Sequence, residues 1–82
     1  VLCLEIVVAP DCVGCAEARA IAEEIQSRFV SVEVKLLELG GDRPIPRQVV
    51  ATPTYLLDGA VISLGNPRRE TLLRLIRRRL NG

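Results

Sequence analysis

The side chains with most chemical potential are Cys12 and Cys15, three apart in the stretch APDCVGC at positions 9 to 15 of an 82-residue chain. Two thiols at that spacing can form a redox pair, supply half of a metal site, or pack as small buried hydrophobes. The elements that carry them bear on the choice. Leu2 to Ala9 is a near-continuous apolar run ended by Pro10, the pattern of a strand buried deep in a sheet. From Val13 onward Ala18, Ile21, Ala22, Ile25 and Phe29 recur at helical spacing, with Glu17, Arg19, Glu23, Glu24 and Gln26 on the opposite face. The pair therefore sits at a strand-to-helix junction, with Cys12 at or just before the helix start and Cys15 one turn in. Free N–H groups and the positive dipole end of a helix favour a thiolate at Cys12, the species that attacks a disulfide. Cys15, shielded in the first turn, is placed to resolve the mixed disulfide.

The remaining elements follow from the same patterning. Val30, Val32, Val34 and Leu36 alternate with Ser31, Glu33, Lys35 and Leu37, as expected of an edge strand with one polar face guarded by charge. GGDRPIPRQVVA, starting at Gly40, reads as a loop with room for one helical turn near Arg47 to Val50. Thr54 to Leu57 and Ala60 to Leu64 flank Asp58-Gly59, a two-residue hairpin signal. Asn66 as N-cap and Pro67 at the first helical position then open a helix that turns Leu72, Leu73, Ile76 and Leu80 inward. The order is βαβ, loop, ββα, and the length predicts one domain over residues 1–82 with an aliphatic core, since Phe29 and Tyr55 are the only aromatics.

A Cys-x-x-Cys at the first strand–helix junction, with Thr52-Pro53 before the third strand and a closing hairpin and helix, resembles the thioredoxin and glutaredoxin superfamily. The resemblance covers nearly the whole chain. It implies an α/β, compact thioredoxin-like fold, a four-stranded mixed sheet with helices packed mainly on one face. It also implies a thiol–disulfide oxidoreductase with Cys12 and Cys15 catalytic, and a cis Pro53 against the pair. Thr52 would offer backbone hydrogen bonds to substrate, and Val13 and Gly14 complete the substrate contact, Gly14 allowing a partner backbone to approach closely. The chain departs from the family where thioredoxins carry Trp before the first Cys and a buried Asp in the first strand, for Asp11 and Ile6 stand there. Leu64-Gly65-Asn66-Pro67 stands where glutaredoxins carry Gly-Gly-x-Asp. The segment before Thr52 is short, so the helix that covers the sheet's second face in the family is expected to shrink to a turn or two.

Charge sharpens the functional expectation. Asp11 and Glu17 flank the pair with no Lys, Arg or His close in sequence, which opposes the helix dipole and favours a reducing, thioredoxin-like poise. With no His and only Cys3 besides the pair, a four-ligand zinc site within the chain would be incomplete, so no metal and no cofactor are expected. An iron–sulfur cluster shared between two chains, as in some glutaredoxin relatives, and a non-catalytic thioredoxin-fold binding module are the alternative readings. Cys3, inside the first strand, is read as a small packing residue on the face shared with Glu5 and Val7. Arg68, Arg69, Arg74, Arg77, Arg78 and Arg79 form a solvated basic face without aromatic interleaving, which predicts no nucleic acid and at most attraction of an acidic partner protein.

The partners expected are a disulfide-containing protein or low-molecular-weight disulfide as substrate and a thiol or reductase as electron donor, with the chain itself a monomer. No apolar run approaches the roughly 18 residues of a membrane span, so a soluble protein without membrane contact is expected. Three cysteines, an odd count, suit a reducing compartment and hence the cytoplasm. The chain starts at Val1 without an initiator Met, which leaves room for a leader already removed.

Overall fold

The computed structural model describes residues 1–82. In chain order the elements are β1 (Leu2–Val8), α1 (Cys15–Arg28), β2 (Val32–Glu38), β3 (Thr54–Leu57), β4 (Ala60–Leu64) and α2 (Arg69–Asn81). The four strands form one mixed sheet in the order β2-β1-β3-β4. β2 lies parallel to β1 through the α1 crossover, while β3 pairs antiparallel with both β1 and β4. This is the α/β thioredoxin-like arrangement that the resemblance implies.

Alternation along β1 makes the sheet two-sided. Leu2, Leu4, Ile6 and Val8 face Ala18, Ile21, Ala22 and Ile25 of α1 and Leu72 and Ile76 of α2, in one cluster that also holds Tyr55 and Leu57. Both helices therefore cover the same face. On the other face Val7, Leu37 and Leu56 form a small cluster roofed by Ile45 and Val49 of the loop between β2 and β3.

Several elements differ locally from expectation. β1 ends at Val8 rather than Ala9. Val30 precedes β2 and is fully exposed, and Leu37, assigned to the polar side of that strand, is buried because the loop residues Ile45 and Val49 cover it. Arg47 to Val50 holds no helical turn; a single bond from the Val49 N–H to the Pro46 carbonyl (3.1 Å) closes a β-turn there. The expected covering helix is thus reduced further than to one turn, because Pro44 and Pro46 remove the donors a helix would need. Asp58 (φ 49°) and Gly59 (φ 87°) make the predicted two-residue hairpin turn with both central residues left-handed. Leu80, assigned to the inner side of α2, is exposed.

Candidate active site

The chain leaves β1 at Val8, crosses the top of the sheet through Ala9 to Val13, and enters α1 at Cys15. Gly14 is the N-cap, with φ 89°, a left-handed conformation that glycine adopts without steric cost. That conformation corrects the expected position of the pair. Cys15 is the first residue of α1, not one turn in, and Cys12 lies in the turn ahead of it, where the Cys15 N–H donates to the Cys12 carbonyl at 3.2 Å. The two Cα atoms are 5.4 Å apart and the sulfurs are joined in a disulfide. Cys15 is 3% exposed and belongs to the main core, whereas Cys12 is half-buried at its margin and Val13 between them is 98% exposed.

Opposite the pair stands the turn before β3. The Thr52–Pro53 bond is cis, and Pro53 is buried with its Cδ 3.9 Å from where a Cβ on Gly14 would lie. Its carbonyl accepts from the Gly65 N–H at 2.8 Å, and the Thr54 hydroxyl donates to the Ala51 carbonyl at 2.5 Å, so the turn is fixed on both sides. Thr52 differs from its neighbours. Neither its N–H nor its carbonyl takes part in a backbone hydrogen bond within the chain. All six residues singled out from sequence, Cys12, Val13, Gly14, Cys15, Thr52 and Pro53, thus lie at the two facing turns.

Two further residues belong to this region and were not found from sequence in that role. Asn66 is not the N-cap of α2; Arg68 takes that position, Pro67 precedes it, and the helix starts at Arg69. The Asn66 amide instead donates to the Gly14 carbonyl at 2.8 Å and accepts from the Tyr55 hydroxyl at 2.7 Å. Tyr55 is fully buried, and its hydroxyl pKa is pushed well above the ordinary phenol range, first by burial and then by the Glu17 carboxylate, with Arg69 acting the other way. Its hydroxyl stays protonated and donating. Arg69 is the other residue missed: it reaches Glu24 at 3.1 Å and Glu17 at 3.8 Å, so the fold places a basic group from α2 beside Glu17. No three His, Cys, Asp or Glu side chains converge where they could hold a metal ion, and no helix is long and apolar enough to cross a membrane.

Comparison with known proteins adds one finding to this geometry. A curated thioredoxin of Methanocaldococcus jannaschii is 28% identical over 80 residues, 94% of either chain. The chain is similar to that thioredoxin, and its joined cysteine pair and small mixed sheet fit a thioredoxin-like protein. No family model matches it. For a thioredoxin-like protein with a cysteine pair joined at the strand–helix junction, the general function is thiol–disulfide redox chemistry.

Cys3, the third sulfur, is a free, half-buried thiol on the sheet face away from α1. Its N–H donates to the Asp58 carboxylate at 2.9 Å and its carbonyl accepts from the Asp58 N–H at 2.8 Å, which ties the β3–β4 turn to the start of β1. Burial pushes the Cys3 thiol pKa up, Lys35 partly offsets this, and Glu5, Glu33 and Asp58 push it further up.

Proposed function

We propose that this thioredoxin-like protein is a disulfide reductase in which Cys12 attacks and Cys15 resolves. The Cys12 thiolate attacks one sulfur of a substrate disulfide; the substrate S–S bond breaks, a mixed disulfide forms, and the departing thiolate takes up a proton. Cys15, deprotonated, then attacks the Cys12 sulfur. The mixed disulfide breaks, the Cys12–Cys15 disulfide forms, and the second substrate sulfur leaves and is protonated. The substrate gains two electrons and two protons from the dithiol, and a thiol or reductase donor returns the pair to the dithiol.

The observation that carries this reading is the difference in burial across the pair, Cys12 at the margin and Cys15 3% exposed in the core. Only the outer sulfur is open to a disulfide on another molecule. Thr52, with both backbone polar groups unused inside the chain, is assigned the contact to an extended substrate strand; Pro53 lies beside Gly14 next to it, and Val13 offers an apolar side chain to the substrate. A protein or small-molecule disulfide is the substrate class, and a monomer in the cytoplasm is the working context. The test is turnover of a protein disulfide such as that of insulin with dithiothreitol as donor. Catalysis above the dithiothreitol background is expected, and wild-type protein that exchanges no faster than that background would sink the reductase assignment.

A further inference from the structure

We propose that Asn66 is a positioning residue for the redox pair, a clamp that holds the turn between Cys12 and Cys15 in its closed geometry when the disulfide is open. This rests on the redox reading above and adds to it what sets the equilibrium of the pair. The Gly14 carbonyl accepts two hydrogen bonds, one from the Ala18 N–H at 3.0 Å within α1 and one from the Asn66 amide at 2.8 Å across the site. The first belongs to the helix and would exist in any helix starting there. The second comes from a residue 52 positions away, at the turn between β4 and α2.

The orientation of the amide is fixed by chemistry. A carbonyl can only accept, so the Asn66 nitrogen must face Gly14, and its oxygen then faces the Tyr55 hydroxyl at 2.7 Å, which must donate. Tyr55 stands on β3 two residues past Pro53 and is fully buried. The chain Tyr55–Asn66–Gly14 therefore links the proline turn, the start of α2 and the cap of α1. A Cβ on Gly14 would lie 3.1 Å from the Asn66 nitrogen, a tight contact that would push the amide back by a few tenths of an ångström, so glycine favours the approach of this amide as well as the positive φ.

The consequence follows from how an intramolecular disulfide is stabilised. Its equilibrium constant depends on the effective concentration of the two thiols in the dithiol, which falls as the segment joining them gains freedom. In the disulfide form the S–S bond itself restrains Cys12 to Cys15. In the dithiol that restraint is gone, and the links left on the turn are the Cys15 N–H to Cys12 carbonyl bond, the helix bond from the Ala18 N–H to the Gly14 carbonyl, and the Asn66 clamp, the one link from outside the turn and α1. Removing the clamp frees the dithiol more than the disulfide and shifts the equilibrium toward the dithiol.

The test equilibrates wild type, Asn66→Ala and Asn66→Asp with reduced and oxidised glutathione. In this exchange the protein S–S bond breaks, two glutathione thiols lose their protons to the cysteines, and one glutathione disulfide forms. Loss of one net hydrogen bond predicts a shift toward dithiol of about fivefold to tenfold for Asn66→Ala, equal to about 20–30 mV toward less negative potential. Asn66→Asp keeps the size but turns a carboxylate on the Gly14 carbonyl, so its shift is at least as large. Thermal unfolding of both forms separates positioning from plain structural support, because a residue that merely supports the fold lowers both melting temperatures equally and leaves the equilibrium unmoved. Should the Asn66 variants fail to fold, Tyr55→Phe decides, for it keeps the buried ring and removes only the hydroxyl that orients the amide; a shift in the same direction of about twofold or more is expected. Folded variants whose equilibrium stays within about twofold of wild type, or moves toward the disulfide, overturn the clamp. Failure of the wild type to turn over insulin bears on the reductase assignment alone, since the glutathione equilibrium is read on the pair itself.

Discussion

The two faces of the sheet are built from the same strands but do different work. The face under α1 and α2 holds a cluster of 14 buried residues and carries the redox turn at its edge, whereas the apolar cluster on the loop-roofed face is Val7, Leu37 and Leu56. One half of the disulfide, Cys15, is itself a member of the main core, so the geometry of the pair depends on packing that is dense and little able to relax. The second face has no such dependent. Its roof is a loop with proline instead of a helix, and the thiol nearest it, Cys3, is held by the Asp58 turn rather than aimed at a partner sulfur.

The sharpest way to break this comparison is to exchange the three sulfurs one at a time. Cys12→Ser is expected to abolish insulin reduction, because a hydroxyl at neutral pH neither ionises nor forms a mixed disulfide. Cys15→Ser keeps the attacking sulfur and removes the resolving one, so a covalent adduct with substrate should persist on non-reducing electrophoresis. Cys3→Ser, on the other face, should trap nothing and leave turnover unchanged. If Cys12→Ser forms the adduct and Cys15→Ser is inert, the order of attack is reversed and burial is the wrong guide to it.

Core truncations test the same contrast in stability. Ile76→Ala on the helix side removes a fully buried side chain from between α2 and the sheet, at a cost of about 2–5 kcal/mol. Leu37→Ala on the second face should sit at the low end, about 2 kcal/mol, because the Ile45 and Val49 loop can settle into part of the space. Urea unfolding of both variants measures the difference, and equal losses would show that the loop roof is as rigid as the helices.

The same division explains what could be read in advance. The pair, the Thr52-Pro53 turn and Asp58-Gly59 were legible because each rests on a short local signal, β1 because it is a near-continuous apolar run ended by Pro10, and α1 because its helical period is long. Asn66 was misread for a physical reason: Asn before Pro is a local capping pattern, and the groups that claim its side chain lie 11 and 52 positions away. Leu37 and Arg69 were misread likewise. What covers the one and what the other reaches are set by how distant segments pack, and a period of two or a helix wheel contains neither.

Titration of Cys3 gives a smaller effect. A thiol whose folded pKa is raised above its unfolded value contributes stability that is fully present below the unfolded pKa of about 9 and is lost as pH rises through the folded pKa. Stability of the oxidised protein should therefore decline more steeply above pH 9 than that of Cys3→Ser. Iodoacetamide should also modify Cys3 more slowly than an unstructured peptide thiol at the same pH.

The smallest effect is expected at the ion pair of Arg19 on α1 with Glu38 at the end of β2, which joins the first helix to the edge strand. Both side chains are exposed, 40% and 47%, so water and salt screen the attraction and two long side chains must be ordered to make it. Glu38→Gln should cost about 0.2–1 kcal/mol at low ionic strength. The loss should shrink toward zero as salt shortens the screening length to about 3 Å near 1 M. The Arg19 and Glu38 side chains bond to each other and to no residue of the redox turn, so the glutathione equilibrium of the pair should not move. A salt-independent loss of several kcal/mol, or a shifted redox equilibrium, would mean that this edge of the sheet positions α1 itself, and the separation between a structural edge and a redox edge would have to be given up.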